Sequence, residues 1–410
     1  MPANRSVLIS GAGIAGTTLA WWLQCRGFEP VLVERAPQPR RGGYVIDFWG
    51  LGYDIAEKMG LLDDLKCRSY RVEELRFVNG RGKRAGGFGV DVFRALTHGR
   101  YLTLPRSALA ETIYQRIEGR MEIFFNDSVV AIEDKDDGVT VNFECAPSRR
   151  FDLVIGSDGL HSAVRRIVFE RESQFATYLG YVVVAFENVG YRPRDDGVYV
   201  SFGLPGKQIS RFALRDNRTL FLIVVCTPQE RLDNLHDLSA QKAMLHREFN
   251  GKGWECDQIL AALDRAHELY FDAVSQIRMP RWSRGRTVLL GDAAFAPSLL
   301  AGQGSALAMT AAYVLAGELA IADGQYERAF DRYESILGDF MDAKQKAAER
   351  FAGSFAPKTR FGLLLRNELS KTFRIPLLAR LLMGADLLDR LALPGYPTCQ
   401  GPPEPRRSMR

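Results

Sequence analysis

Residues Ser6–Glu34 read SVLISGAGIAGTTLAWWLQCRGFEPVLVE, and this stretch decides the fold. The apolar run Ser6–Ser10 predicts a short buried strand, Thr17–Arg26 predicts a helix, and Pro30–Glu34 predicts a second strand. The glycines of the intervening hexad Gly11–Gly16 permit a tight turn, close approach of a pyrophosphate, and close packing of the helix on the strand. We therefore expect a βαβ unit that binds a dinucleotide.

The hexad also predicts individual contacts to the dinucleotide. A helix N-terminus offers free N–H groups and a partial positive charge to phosphate. Glu34, at the end of the second strand, can accept hydrogen bonds from a ribose diol. The pattern does not separate NAD from FAD, because both contain an ADP moiety. The contacts predicted within the hexad are Gly11, Gly13, Ile14, Ala15 and Gly16.

The composition indicates a globular protein of more than one packed unit. The chain has 410 residues, of which 46% are hydrophobic and 25% are charged. Single domains commonly contain about 100–200 residues, so two or three units are expected. The net charge of +5 is spread over 54 basic and 49 acidic residues, and we expect no nucleic-acid partner.

Neither a metal site nor a membrane span is expected. The six cysteines show no CxxC or Cys/His spacing, which favours reduced thiols and no bound metal. The apolar run Val7–Ile9 leads directly into glycines, so we expect no signal peptide and a cytoplasmic location. The Leu-rich segment Leu377–Leu393 is interrupted by charges, which favours helix packing over stable membrane insertion.

The pattern of elements changes beyond the βαβ unit. Gly52–Leu65 predicts a helix, and Val72–Asn79 and Gly89–Phe93 predict strands. The stretch Tyr178–Cys226 is β-rich with hardly any helical periodicity, so we expect an antiparallel sheet there. The stretch Thr310–Arg350 is rich in Ala, Leu, Glu and Lys and lacks proline, which predicts a long helix or a helix pair.

A second cofactor-binding pattern occurs in the C-terminal third. Thr287–Leu290 predicts a buried strand that ends at Gly291-Asp292. A carboxylate at the carboxyl edge of a sheet can accept a hydrogen bond from a ribityl hydroxyl. Ala301–Gly304 then reads AGQG before a predicted helix, where N–H groups can approach the electron-rich edge of a ring.

In the order of these motifs the chain resembles the flavoprotein monooxygenases of the para-hydroxybenzoate hydroxylase type, the group A flavoprotein hydroxylases. Within this family, the runs Gly42–Asp47 and Ala301–Gly304 look most like the tetracycline-inactivating monooxygenases. The resemblance is carried by Gly11–Gly16 with Glu34 and Arg35, by Asp152–Gly159 (DLVIGSDG) with Ser162 and Arg165, and by Gly291-Asp292 with Gly302-Gln303-Gly304.

The resemblance implies an FAD-dependent enzyme that uses NAD(P)H and O₂ to hydroxylate an aromatic or polycyclic small molecule through a flavin C4a-hydroperoxide. The chemistry would be centred on the flavin, so no catalytic acid or base is assigned. Beyond the hexad and Glu34, the implied cofactor contacts are Arg35, Gly43, Arg106, Val130, Asp158, Asp292, Gly302, Gly304 and Ser305. The pocket candidates are Phe295 and Leu299, from the loop that the family places beside the ring, and the sheet aromatics Tyr199 and Phe212.

Several alternatives stay open. The chain departs from the family in the segment Phe295–Leu300 and at Ala306, where members commonly have a histidine and an asparagine. A flavin-dependent dehydrogenase or reductase without oxygenation, or a protein in which FAD is structural, is also compatible with the motifs. Asp158 has a second interpretation as a helix cap. A halogenase is disfavoured, because the chain has no Trp-x-Trp-x-Ile-Pro segment.

The predicted fold class is α/β with a mixed α+β character. A Rossmann-like FAD-binding domain is expected at 1–70, 98–172 and 276–330, with an inserted antiparallel-sheet substrate domain at 71–97 and 173–275. C-terminal helices are expected at 331–394 and a flexible tail at 395–410. We expect a monomer or a homodimer that binds a small-molecule substrate.

Overall fold

A computed structural model describes residues 4–39, 44–235, 237–298, 302–373, 389 and 391–397. The described part has the predicted mixed α/β character. Its strands are β1 (Ser6–Ser10), β2 (Glu29–Glu34), β3 (Val45–Trp49), β4 (Glu74–Val78), β5 (Arg84–Gly89), β6 (Tyr101–Pro105), β7 (Ile123–Phe125), β8 (Val129–Lys135), β9 (Gly138–Phe143), β10 (Arg149–Phe151), β11 (Leu153–Gly156), β12 (Ala176–Val189), β13 (Val198–Leu204), β14 (Lys207–Ala213), β15 (Arg218–Cys226), β16 (Tyr270–Ile277), β17 (Ser283–Arg284) and β18 (Thr287–Leu289).

The helices are α1 (Ile14–Cys25), α2 (Gly50–Lys58), α3 (Leu62–Arg68), α4 (Asp91–Leu96), α5 (Arg106–Gln115), α6 (Ala163–Val168), α7 (Leu238–Phe249), α8 (Cys256–Asp264), α9 (Asp292–Phe295), α10 (Gly304–Ile321), α11 (Tyr326–Phe355) and α12 (Arg360–Thr372). Short 3-10 helices lie at Glu172–Gln174 and Gln229–Asn234.

β1 lies inside a six-stranded sheet with the order β17-β18-β11-β1-β2-β7. It pairs in parallel with β2 and β11, and Val7 lies opposite both Pro30 and Leu153. Leu8 and Ile9 have no exposed surface, and they share one hydrophobic cluster with apolar residues of α1 and α10. Burial on both faces explains why this strand is continuously apolar. The predicted βαβ unit is confirmed.

The β-rich region forms a seven-stranded sheet with the order β16-β12-β15-β14-β13-β4-β5. Its pairs are antiparallel except for β13 with β4. Alternate residues face opposite sides of a strand. Val184 and Ile223 pack against residues of α7 and α8, whereas Ala185 and Leu222 face the other way. The predicted antiparallel sheet is therefore confirmed, with one parallel pair.

A two-stranded antiparallel ribbon of β3 and β6 lies between the two large sheets. Ile46 and Phe48 of β3, with Leu104 of β6, belong to the core around the six-stranded sheet. Trp49 of β3 and Tyr101 of β6 belong to the cluster on the inner face of the seven-stranded sheet. The ribbon therefore separates the two cores.

Two local predictions need correction. The predicted strand Gly89–Phe93 is wrong, because β5 ends at Gly89 and α4 begins at Asp91, whose acidic side chain is favourable in the first turn of a helix. The predicted helix Gly52–Leu65 is two helices, α2 and α3. They are separated at Gly60, whose φ of +68 ends the first of them.

The predicted C-terminal helix pair is confirmed as α10 and α11. By length and composition α10 could cross a membrane, but 72% of it is buried inside the protein, as expected for a core helix. Most of the segment Leu377–Leu393 and of the predicted flexible tail lies outside the described residues. The domain boundaries given above stay predictions.

Candidate cofactor and substrate site

A large cavity of about 1210 Å³ lies at the carboxyl ends of the parallel strands β1, β2 and β11. The turns that follow these strands contribute Gly11, Arg35 and Ser157 to its lining. Open α/β sheets bind ligands at this edge. Pockets for a single drug-sized molecule measure about 300–1,000 Å³, so this cavity has room for a cofactor together with a substrate.

The glycine turn leaves space where a pyrophosphate would bind. Gly11 has φ +103, and a Cβ there would lie 2.6 Å from the Ser157 carbonyl oxygen. A Cβ at Gly16 would clash with the Gly11 carbonyl oxygen, whereas a Cβ at Gly13 would meet no atom within 4 Å. Helix α1 begins at Ile14 without a side-chain cap, so its first N–H groups are available to an anion. This arrangement fits the pyrophosphate of FAD.

Glu34 is oriented at this cavity by main-chain N–H groups. Its Oε2 accepts a hydrogen bond from Ala12 at 2.9 Å, and its Oε1 accepts one from Ala36 at 3.0 Å. The residue is only 9% exposed. Because a carboxylate has about four acceptor sites, the same side chain can also bind a ribose diol.

Asp158 caps a helix as well as lining the cavity. Its Oδ2 accepts hydrogen bonds from the N–H groups of Ala163 and Val164 at 2.8 and 3.1 Å, and its Oδ1 accepts one from the Ser162 hydroxyl at 2.5 Å. Burial raises the pKa of Asp158, although these hydrogen bonds oppose the shift. The helix-cap interpretation is thus a structural fact, and the cofactor contact stays a prediction.

Arg165 joins the turn after β11 to the turn after β18. Its fully buried guanidinium donates to the carbonyl oxygens of Ala293 at 2.9 Å and Leu160 at 2.6 Å, and to Glu172 Oε2 at 2.8 Å. Two segments that are distant in sequence are therefore held at fixed positions beside the cavity. The sequence motif contained Arg165, but its bridging role depends on a distant carbonyl group that no local pattern reveals.

Asp292 and Arg106 provide opposite charges to the same cavity. Burial raises the pKa of Asp292, and the positive charge of Arg106 opposes this shift. Neither side chain forms a hydrogen bond or ion pair with a residue in the described part of the chain. A Cβ on Gly304 would lie 3.8 Å from Asp292 Oδ1, so the glycine brings the start of α10 close to this carboxylate. These groups fit a ribityl chain and the adjoining ring.

The structure brings most of the predicted cofactor contacts to one cavity. Gly16 is not part of the lining, since it packs against Gly11, and Gly43 lies outside the described residues. Val130 is 51% exposed at a bulge in β8, where it presents an apolar surface. The predicted contacts that line the cavity are Gly11, Gly13, Ile14, Ala15, Glu34, Arg35, Arg106, Val130, Asp158, Asp292, Gly302, Gly304 and Ser305.

Comparison with known proteins identifies the family. Residues 4–336 match the family described as FAD binding domain. The chain belongs to this family of flavoprotein monooxygenases. A flavin-dependent monooxygenase of Legionella longbeachae serogroup 1 (strain NSW150) is 34% identical over 371 residues, covering 90% of this chain and 92% of the relative. The predicted family is confirmed.

Solved structures support the same family and fold. The tetracycline destructase Tet(55) superimposes with a TM-score of 0.82 at 29% identity, covering 97% of this chain and 100% of that one. HpxO of Klebsiella pneumoniae, solved with FAD and uric acid, superimposes with a TM-score of 0.76 at 23% identity, covering 93% and 96%. At that identity the likeness to HpxO shows the fold alone.

Three of the predicted pocket residues do not line the cofactor cavity, and their roles as substrate contacts stay predictions. Phe295 is 3% exposed because its ring packs on Trp282 at a centroid distance of 4.7 Å, and it lines a separate cavity of about 170 Å³. Tyr199 and Phe212 stack on each other at 5.9 Å on the inner face of the seven-stranded sheet. Leu299 lies outside the described residues.

Sequence reasoning missed a cluster of polar aromatic residues in the cavity. Tyr44 precedes β3, whereas Tyr270 and Asp272 lie on one face of β16. The two tyrosine rings meet edge to face at 5.6 Å, and the Tyr270 hydroxyl donates to Asp272 Oδ2 at 3.0 Å. Burial raises the pKa of Tyr44 to about 12 and raises that of Asp272. The i, i+2 spacing of Tyr270 and Asp272 on a strand was the available signal.

Proposed function

We propose that this protein is an FAD-dependent monooxygenase that uses NAD(P)H and O₂ to hydroxylate an aromatic or polycyclic small molecule. The proposal rests on one observation: the cofactor cavity adjoins the aromatic cluster on the inner face of the seven-stranded sheet. Tyr44 and Tyr270 line the cofactor cavity and also pack against the aromatic cluster on the inner face of the seven-stranded sheet. A ring system bound against this cluster would therefore lie next to the cofactor.

The residues around the cavity support FAD as the bound dinucleotide. The N–H groups at the start of α1 would hold the pyrophosphate and Glu34 the adenosine ribose. Asp292 would hold the ribityl chain, and the start of α10 at Gly304 would approach the ring. When bound and reduced by a nicotinamide, the flavin would supply O₂ activation and the transfer of one oxygen atom to an electron-rich carbon, the other leaving as water.

The chain's own residues then position the reactants and exclude water. Arg165 fixes the two turns that flank the cavity. Tyr44 and Tyr270 present apolar ring surface at the junction, while the hydrogen bond to Asp272 fixes the orientation of Tyr270. Water exclusion and orientation are the general contributions of a protein to cofactor-centred chemistry. We expect the enzyme to act on a small molecule in the cytoplasm, as a monomer or a homodimer.

The test follows NAD(P)H oxidation by the FAD-containing protein under ¹⁸O₂ with a panel of polycyclic phenols. The proposal predicts that one compound accelerates the oxidation and gains one ¹⁸O atom. Substrate oxidation with no ¹⁸O in the product would instead identify a dehydrogenase. Failure of both NADH and NADPH to reduce the flavin with every compound would support a structural role for FAD.

A further inference from the structure

The ribbon of β3 and β6 presents one carboxylate to the inner face of the seven-stranded sheet. Ile46 and Phe48 face the core of the six-stranded sheet and are 5% and 1% exposed. Side chains alternate along a strand, so Asp47, between them, faces the opposite side with Val45 and Trp49. Asp47 lies directly opposite Thr103 of β6.

Asp47 has neutral hydrogen-bond partners. The Tyr101 hydroxyl donates to Asp47 Oδ1 at 2.5 Å, and the Thr103 hydroxyl donates to the same oxygen at 2.7 Å. No lysine, arginine or histidine in the described ranges forms an ion pair with Asp47, and Oδ2 accepts no hydrogen bond from them. The charge on this carboxylate is therefore uncompensated within the described part of the molecule.

Asp47 keeps accessible surface although the surrounding protein partly desolvates its carboxyl group. Burial raises the pKa of its carboxyl group, and the two hydroxyl donors only partly oppose this shift. The residue nevertheless retains a large accessible surface, unlike its neighbours Ile46 and Phe48. The Asp47 carboxylate is therefore accessible to a ligand on the side of the ribbon that faces the seven-stranded sheet. Burial raises the pKa of Tyr199 on the opposing sheet, and the negative charge of Asp47 adds to that shift.

The surroundings of Asp47 are aromatic. The Trp49 and Tyr101 rings lie 6.3 Å apart, and Phe93 stacks on Tyr101 at 6.0 Å. Tyr199 stacks on Phe212 on the seven-stranded sheet, in the same hydrophobic cluster. The faces of aromatic rings attract cations, and this attraction strengthens when water is excluded. We call the space bounded by Asp47, Trp49, Tyr101 and Tyr199 the aromatic chamber.

A purely structural role accounts poorly for the carboxylate. Joining Tyr101 and Thr103 requires only a neutral acceptor, which an amide or hydroxyl would supply without the cost of burying a charge. A cationic ligand group would offset that cost, since it pairs with Asp47 and contacts the ring faces at the same time.

We propose that the aromatic chamber is a subsite for a protonated or quaternary amine carried by a polycyclic substrate, with Asp47 as its counter-ion. This inference rests on the proposed function and narrows its substrate class. Strand β3 rises about 3.3 Å per residue, so Asp47 lies roughly 10 Å along the ribbon from Tyr44 at the cofactor cavity. The amine would anchor the end of the substrate that is remote from the oxidised carbon.

The test compares two ligands by equilibrium dialysis against the FAD-containing protein without NAD(P)H. One ligand is a naphthylmethyl trimethylammonium ion, and the other is its uncharged tert-butyl isostere. The wild-type protein should bind the cation at least about tenfold more tightly than the isostere. Asp47→Asn keeps an acceptor for Tyr101 but removes the charge, so this preference should fall to about onefold while the isostere binds within about threefold of wild type.

Two further variants complete the design. Trp49→Leu removes one ring face and should reduce the preference for the cation without abolishing it, and this variant serves also if Asp47→Asn fails to fold. Asp63→Asn removes a fully exposed carboxylate on α3 and should leave the preference unchanged. Equal binding of both ligands to the wild-type protein, or an undiminished preference in Asp47→Asn, would overturn the inference.

The result of the dialysis experiment can be distinguished from the result of the oxygenation experiment that tests the proposed function. Dialysis measures ligand binding and needs no turnover, so a protein that binds the cation but oxygenates nothing would retain the subsite and lose the activity. A protein that contains FAD and oxygenates a neutral compound, but shows no preference for the cation, would lose only the subsite.

Discussion

Replacing Gly13 with alanine should separate cofactor binding from folding. Gly13 has φ −76 and ψ −174, an extended conformation that alanine adopts readily, and its Cβ would meet no protein atom within 4 Å. Folding should therefore be unaffected, or favoured by about 0.4–1 kcal/mol through the lower entropy of the unfolded chain. The new methyl group would, however, enter the space assigned to the pyrophosphate.

The expected loss in FAD affinity follows from the contacts at this position. A displaced phosphate would lose one charged hydrogen bond to the start of α1, which is worth about 1.5–3 kcal/mol. This corresponds to a rise in the FAD Kd of roughly 10- to 150-fold, since about 1.4 kcal/mol is a factor of ten. Titration of the apoprotein with FAD, followed by flavin fluorescence, measures the Kd directly.

Gly16→Ala is the matched control. Its Cβ would clash with the Gly11 carbonyl oxygen and lie 2.6 Å from Ser157 Oγ, so it should lower the apoprotein Tm as well as FAD binding. Gly13→Ala should lower FAD binding alone. Unchanged FAD affinity in Gly13→Ala, with a normal Tm, would refute the placement of the pyrophosphate at this turn.

Three further substitutions test the surroundings of the cavity. Arg165→Met should lower the free energy of unfolding by about 1–3 kcal/mol in chemical denaturation, because it leaves the buried Ala293 carbonyl group without its donor and removes one of two donors to Glu172; an unchanged free energy of unfolding would contradict the bridging role. Asp292→Asn should weaken FAD binding about tenfold. The same substitution should also remove a pH dependence of apoprotein stability. Because burial raises the pKa of Asp292, its carboxyl group stabilises the fold fully below pH 3.8, and this stabilisation is lost as the pH rises through the folded pKa. Burial alone would raise the pKa of Asp127, but hydrogen bonds from main-chain N–H groups hold that pKa below 3.8. The Asp127 carboxylate therefore stabilises the fold above pH 3.8, and this stabilisation is lost as the pH falls through the folded pKa. Asp127→Asn should therefore reduce the fall in Tm at acid pH. An unchanged fall in Tm would contradict this role of Asp127.

The grouping of the predicted cofactor contacts at one cavity could be predicted from the sequence because it depends on local structure. The turn from Gly11 to Gly16 follows one strand and opens one helix, so spacing alone places its N–H groups at the sheet edge. Asp292 could be placed in the same way, since it lies in the turn that follows the buried strand β18. Each of these predictions depended on a single supersecondary unit.

Apart from Tyr199, the residues of the substrate side could not be predicted, because their positions depend on contacts between distant segments. Phe295 is an aromatic residue in the segment after the Gly-Asp motif, but its ring packs on Trp282 and lines the smaller cavity. Asp47 lies between the core residues Ile46 and Phe48 of β3. Only the pairing of β3 with β6 shows that its side chain faces the seven-stranded sheet. The strand containing Tyr270 was missed because its burial does not alternate regularly and its partner, β12, is distant in the sequence.

The most direct test of the central claim is the identity and amount of flavin released when the purified protein is denatured. We expect FAD in a ratio of about one per chain, and a yellow native protein whose flavin is recovered after apoprotein and FAD are mixed. Release of no flavin, together with failure of the apoprotein to bind added FAD, would contradict the assignment of the cavity and with it the proposed function.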